Sequence, residues 1–207
     1  MAYRRTAHMQ RRLADNRERI VRAARQLVAE GGFREAQIGA VARVAGLSTG
    51  AIYKYFPSKT DLFIRVLRDA VRHEVAILDH IAAAPRTSAQ RLHAAVESFA
   101  RRALEGPYLA YAFIAEPADA RVDAARLRAR RAFGEVFKRI VRDGIRRGEF
   151  PEQHLDVTAA CIVGAFTEAL VGPVAPSARA VGNKEKLVRA ICRFCERAVA
   201  GAVLSKA

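Results

Sequence analysis

The sequence predicts an all-α protein: an N-terminal three-helix head carrying a helix-turn-helix, followed by a larger antiparallel helical bundle. Three observations predict it. Alanine and arginine dominate the chain while Ile, Thr and Tyr are not enriched, a balance that favours helix over sheet. Apolar residues recur at helical spacing, and no useful stretch alternates with period two. Glycine and proline fall where they divide the chain into helix-length segments. With 51% hydrophobic residues over 207 positions, the chain can bury a substantial core.

The first segment, Asp15 to Glu30, places Ile20, Ala24, Leu27 and Val28 on one helical face, and Gly31-Gly32 ends it. Phe33 follows as a core plug. A short helix reads from about Ile38 to Ala45, with Ile38, Val41 and Ala42 on its inner face, and Gly46 stops it by tolerating a left-handed backbone. Ser48 caps a second short helix, which runs to Phe56 before Pro57 forbids continuation. Ser58-Lys59-Thr60-Asp61 resembles a capping box and opens a longer helix through Leu62, Val66, Leu67, Val71 and Leu78. Beyond Pro85, breakers at Gly106-Pro107, Pro117, 148–151 and 172–183 leave helical segments at about 88–105, 108–116, 119–147, 155–171 and 184–204.

The formal charge of +15 points to a polyanionic partner or an acidic surface. It is uneven: residues 1–60 hold 12 Lys/Arg against 4 Asp/Glu, whereas the remaining 147 residues hold 24 against 17. That asymmetry suggests a nucleic-acid module at the N-terminus. The most apolar stretch, near 157–175, is interrupted by Glu168, so a membrane-spanning helix is not expected. The opening MAYRRTAHMQRR is basic without an apolar run after it, which is not the pattern of a secretory signal, and a cytoplasmic location is expected. Cys161, Cys192 and Cys195 are too few and too clustered for a disulfide framework.

Gly46-Leu47-Ser48-Thr49-Gly50 raises a choice, because it also fits the G-x-S-x-G of a serine-hydrolase elbow. An elbow needs a strand before the serine, and here a helical pattern precedes it. A serine esterase using Ser48 is therefore the weakest reading, and no catalytic residue is assigned. Two short helices joined by a glycine-containing turn fit better. Val41, Leu47, Ile52 and Phe56 would lock the pair against the first helix, leaving Thr49, Gly50, Tyr53, Lys54 and Tyr55 at or near an exposed end suited to the major groove.

The run LSTGAIYKYFPSKTDLF at 47–63, with Gly31-Gly32-Phe33 before it, resembles the DNA-binding domain of the TetR family of transcriptional regulators. The resemblance covers about residues 15–63 and is most specific at Tyr53-x-Tyr55-Phe56 and Ser58-Lys59; the Gly148-Glu149-Phe150 turn is compatible with it. One departure is Ala36-Gln37 before Ile38, where the family usually caps the second helix with Thr or Ser. The resemblance implies that Ser48, Thr49, Gly50, Tyr53, Tyr55 and Lys59 touch double-stranded DNA. Thr49 and Lys54 suit base edges, Tyr55 and Lys59 suit phosphates, Ser48 suits an N-cap that also reaches a phosphate, and Tyr53 suits either DNA or the core. Arg4, Arg5, Arg11 and Arg12 belong to an arm that is either a solvated tail or a clamp on the duplex.

The chain so divides into a basic, flexible arm at 1–14, a helix-turn-helix domain at 15–63, and a ligand-binding and dimerisation domain at 64–207. The resemblance implies a repressor that binds a palindromic operator as a homodimer and is released by a small-molecule effector, not an enzyme. The rival is a helical interaction protein that binds nucleic acid without sequence choice. Interface candidates are Ala160, Gly164 and Ala165 in one helix and Leu187, Ile191 and Phe194 in the next, with Ala159, Ala169, Ala198 and Leu204 alongside; completing the protomer core is the alternative role. Effector candidates are Phe99, Tyr108, Tyr111, Phe113, Phe133, Phe137 and Phe166, with core packing as the alternative for each. A mainly apolar effector is expected. The arginines of RLRARRAF at 126–133 would favour an anionic one, but read more simply as a solvated helix face. Cys192-x-x-Cys195 lies mid-helix without a second pair or clustered histidines, and His73 and His80 alone are too little for a metal site. Neither a metal nor a cofactor is expected.

Overall fold

A computed structural model describes residues 7–178 and 182–201. Among them the helices are α1 (Ala7–Glu35), α2 (Ile38–Ala45), α3 (Thr49–Tyr55), α4 (Lys59–Ala82), α5 (Ser88–Glu105), α6 (Pro107–Ile114), α7 (Ala120–Arg146), α8 (Leu155–Val174) and α9 (Lys184–Ala200). No strand occurs among the described residues.

α1 begins at Ala7 rather than Asp15, so residues 7–14, expected as an arm, form its first turns. Nothing between Ala7 and Asp15 breaks a helix. Arg11 and Arg12 stand on its exposed surface, whereas Arg4 and Arg5 lie outside the described residues. At the other end Gly31 and Gly32 leave helical geometry, with Gly32 at φ 77°, ψ −167°. That bend drives Phe33 into the core, where its ring centre lies 4.4 Å from that of Phe63.

Ile20, Ala24, Val28, Val41, Ile52 and Phe56 are enclosed at the centre of the head, and Leu47 packs partly buried against them. Local chemistry sets the boundaries. Gly46 adopts the left-handed conformation and its N–H closes α2. The Ser48 and Ser58 hydroxyls accept the Ala51 and Asp61 N–H groups to start α3 and α4. α2 has no side-chain cap; Gln37 donates instead to the Arg34 carbonyl at 2.9 Å. The head does not close on itself. Val66 of α4, Ala112 of α6 and Val122 of α7 belong to the same core, so the α6–α7 corner is one of its walls.

The body packs α4 along α7, α7 on α8 and α5 on α9. Its aromatic centre joins Phe99 to Phe166 at 4.7 Å and Phe166 to Phe137 at 5.5 Å between ring centres. α8 is long and apolar enough, by length and composition alone, to cross a membrane, with mean hydropathy 1.7. One face of it, with Ile162, Val163, Phe166, Leu170 and Val174, fills the core of the body. α8 also continues past residue 171 and takes Pro173 into its last turn, where the missing N–H forfeits less than it would mid-helix. The Gly148-Glu149-Phe150 turn has a packing role: Phe150 presses on Gly144, and Glu149 accepts the N–H groups of Ser88 and Ala89 at the start of α5.

Candidate nucleic-acid interface and internal cavity

α3 buries only Ile52. Ser48, Thr49, Gly50, Tyr53 and Lys54 all stand exposed, and Tyr53, for which a core role was the alternative, is 51% exposed. A Cβ added at Gly50 would meet nothing within 4 Å, so the backbone there is open to close approach. Tyr55 is half-buried, and its hydroxyl accepts from Asn16 Nδ2 at 3.1 Å, which leaves its own proton free to donate outward. Lys59 is less available than its place in the first turn of α4 predicts. It is half-buried with Nζ 5.1 Å from the Phe63 ring centre, and burial lowers its pKa. The helix α2 occupies the place where a hydrolase elbow needs a strand, and the Ser48 hydroxyl is engaged as a helix cap.

Behind the head, the α6–α7 corner forms a polar junction. The Phe33 N–H donates to Glu116 Oε2 at 2.9 Å, and Glu116 is buried. Arg126 of α7 donates through Nη2 to the Ala112 and Glu116 carbonyls at 2.6 Å each, and through Nη1 to Asp123 at 2.8 Å. Its guanidinium lies 5.7 Å from the Phe33 ring centre. At the rim, Thr60 bonds Asp119 and Arg121 pairs with Asp61. The Ser58 hydroxyl and then Arg121 hold Asp61 below the usual carboxylate range, and the Thr60 hydroxyl does so for Asp119. Depressed folded-state pKa values mean these contacts act near neutral pH and are lost as pH falls through the carboxylate range.

A cavity of about 130 Å³ opens beside this junction, among α1, α4, α5, α6, α7 and α8. Of the aromatic residues expected there, Phe99, Phe113 and Phe133 line it. Phe137 and Phe166 are fully buried behind that wall, Tyr111 packs half-buried against the body's core, and Tyr108 is exposed. The wall also includes Leu67, Val71, Leu109 and Ile114, together with Arg25, His73, Glu74, Arg102, Arg126 and Arg130. The arginines of 126–131 are thus not uniformly solvated: Arg126 is only 8% exposed, while Arg130, which also lines the cavity, is exposed. Spacing carried the signal, because Arg126 lies four residues after Val122 and seven before Phe133, both buried.

The expected interface residues divide between two faces. Ala160 and Gly164 of α8 are exposed, as is Phe194 of α9 at 62%. Ala165 and Leu187 are half-buried against the protomer's own core, and Ala159 is buried in it; Ala169 and Ala198 are exposed, and Leu204 lies outside the described residues. Ile191 is 6% exposed, because Val188, Ile191, Cys192, Cys195 and Val199 form the inward stripe of α9. Burial pushes the Cys192 thiol up to about 12 and the Cys195 thiol to about 11, so both act as small apolar groups.

Comparison with known proteins follows the same division of the chain. The family model described as "Bacterial regulatory proteins, tetR family" matches residues 20–66, and the one described as "Tetracyclin repressor-like, C-terminal domain" matches residues 85–170. The chain belongs to the TetR family. Among TetR-family relatives, the HTH-type transcriptional repressor KstR of Mycobacterium tuberculosis is 33% identical over 115 residues, covering 53% of this chain and 52% of that protein. The fatty acid metabolism regulator protein of Bacillus subtilis is 36% identical over 50 residues, covering 24% of this chain and 26% of that protein. The chain spans about half or less of the length of these curated relatives. In three dimensions it is similar to the transcriptional regulator FadR from Bacillus subtilis, solved in complex with stearoyl-CoA. That match has a TM-score of 0.75 and 18% identity, covering 88% of this chain and 98% of that one. A TetR-family regulator from Syntrophomonas wolfei gives a TM-score of 0.76 at 18% identity, covering 93% and 98%.

Proposed function

We propose that this TetR-family protein is a sequence-specific DNA-binding repressor that binds a palindromic operator as a homodimer and is released by a small molecule. The observation that carries the reading is α3 itself: Ile52 is its one buried residue, and Thr49, Gly50, Tyr53 and Lys54 are left facing outward. Thr49 and Lys54 meet base edges in the major groove, while Tyr55 and Lys59 hold phosphates and Ser48 starts the helix. Lys59 reaches a phosphate by leaving the Phe63 ring.

One head covers only a few base pairs, each worth about 1–3 kcal/mol, which is too little to single out one site. A two-fold pair of heads doubles the discrimination. The exposed small faces of α8 and Phe194 of α9 support pairing of α8 and α9 with their copies. The cavity supports the effector, since apolar side chains form most of its wall. That a protein of the same fold, FadR from Bacillus subtilis, was solved in complex with stearoyl-CoA supports a small-molecule effector.

Selection of bound fragments from genomic DNA tests the reading, followed by a salt titration on the selected palindrome and on random duplex. A large affinity gap that persists with salt is expected; uniform loss of both would mark a non-specific binder instead. Lys59→Ala should weaken binding by a similar factor on every duplex and lower the salt slope by about one. Thr49→Ala should change which base is preferred at one position, by about 1–3 kcal/mol.

A further inference from the structure

We propose that the cavity takes a compact apolar monocarboxylate, received by Arg126, and that Arg126 passes its arrival to the DNA-binding head through Glu116. This rests on the regulator reading and adds the chemistry of the ligand and the route of its signal.

Burial and orphaned hydrogen-bonding capacity single out Arg126. It is 8% exposed, lines the cavity, and its Nε–H has no partner. A buried charged donor left unpaired is costly, and a carboxylate in the cavity removes that cost when the side chain turns toward it. Arg91 also has an unpartnered Nε, but it is held by Ala82, Ser88 and Asp143 and does not line this cavity. The charge around the cavity points the same way. Glu74 faces it but is paired with Arg102 at 2.7 Å, whereas Arg25 and Arg130, both exposed and so partly screened, form no ion pair with a described residue. Asp123, the one carboxylate on Arg126, is largely solvated, so its hold is screened.

Volume sets the size of the apolar body. About 130 Å³ is close to the roughly 150 Å³ that admits one benzene-sized molecule. Phe99, Phe133, Leu67 and Val71 supply its walls.

The same guanidinium holds the junction. Its two bonds to the Ala112 and Glu116 carbonyls fix the end of α6, and the Glu116 carboxylate holds the Phe33 N–H at the end of α1. A carboxylate that turns Arg126 toward the cavity competes with those carbonyls. Glu116 then shifts against Phe33, and the head moves relative to the body. The coupling therefore runs through one side chain with two sets of acceptors, which is the differential contact a ligand needs to shift a conformational equilibrium.

Calorimetry on the full chain tests the ligand chemistry, with benzoate and cyclopentanecarboxylate as probes and benzamide and cyclopentanecarboxamide as their neutral counterparts. Each acid should bind about tenfold or more tightly than its amide, as a charge-assisted hydrogen bond requires. Arg126→Met should erase that difference while keeping amide binding. Equal affinities in the unaltered protein, no binding of either acid, or acid preference retained in Arg126→Met would each overturn the proposal. The acid–amide comparison needs no variant, so it stands even if Arg126→Met fails to fold. For the coupling, duplex affinity should change on adding the acid and should not change in Glu116→Ala; the same response in both proteins overturns the route. Duplex binding without any acid is measured first, so failure of the regulator reading registers separately.

Discussion

Phe194→Glu should yield a folded monomer that loses about a hundredfold or more of its affinity for a palindromic duplex. The reasoning starts from exposure. A phenylalanine 62% exposed on α9 lies outside the protomer's core, so replacing it should leave the helix content and melting of the isolated protomer nearly unchanged. In a two-fold interface the same residue appears twice, and each buried aromatic contributes about 1.5–3 kcal/mol. A glutamate there also meets its own copy or the apolar face of α8, where Val157 is exposed beside the small residues Ala160, Cys161 and Gly164. Specific sites are bound about 4–10 kcal/mol more tightly than random DNA, and losing one of two heads removes about half of that. Sedimentation and duplex titration read the two effects separately. Ile191→Glu is the contrast: at 6% exposure it should unfold the body rather than split a dimer. A Phe194→Glu protein that stays dimeric and binds normally removes α9 from the interface.

The contrast between Phe194 and Ile191 marks how far the sequence could be read. Most helix ends were legible because their signals are local. Pro85, the Gly106-Pro107 pair and the turn after Gly148 stop helices by backbone geometry alone, and Ser48 and Ser58 start them by a hydroxyl three residues from its partner. The phase of α9 was not legible, since Leu187, Ile191 and Phe194 fit one broad apolar stripe until packing against α5 and α8 fixes which edge is inside. The start of α1 was hidden for a related reason: the charge of residues 7–14 suggested an arm, while their helix-forming side chains carry no stop signal. At the candidate site, the outward residues of α3 followed from the short helix and its turn. Arg126 did not, because its arginine-rich neighbours conceal a position that only its spacing from Val122 and Phe133 betrays. Glu116 had no local signal. Its partner, the Phe33 N–H, is 83 residues away in the chain.

That distant contact gives the sharpest test of how head and body are joined. Gly32→Ala should cost about 3 kcal/mol or more in stability and lower the melting temperature by about 6–12 °C for a chain of this size. Two effects add. Gly32 sits at φ 77°, ψ −167°, a region open almost only to glycine, where another residue costs about 1–3 kcal/mol. A Cβ there would also lie 2.8 Å from Glu116 Oε2, forcing the carboxylate off the Phe33 N–H and leaving that buried donor unpaired at a further cost of about 1–3 kcal/mol. Gly50→Ala separates this from any general intolerance of the head. Its added Cβ meets nothing within 4 Å, and alanine in a helix is favoured over glycine by up to about 1 kcal/mol, so melting should hold or rise. Duplex affinity should nevertheless fall, because the methyl group intrudes where the backbone approaches DNA. Thermal unfolding and duplex titration of the two variants should therefore give opposite patterns: Gly32→Ala fails first in stability, Gly50→Ala in binding alone. If Gly32→Ala melts like the unaltered protein, the Glu116 contact does not bind the head to the body; if Gly50→Ala binds duplex as well as before, α3 does not approach DNA through its first turn.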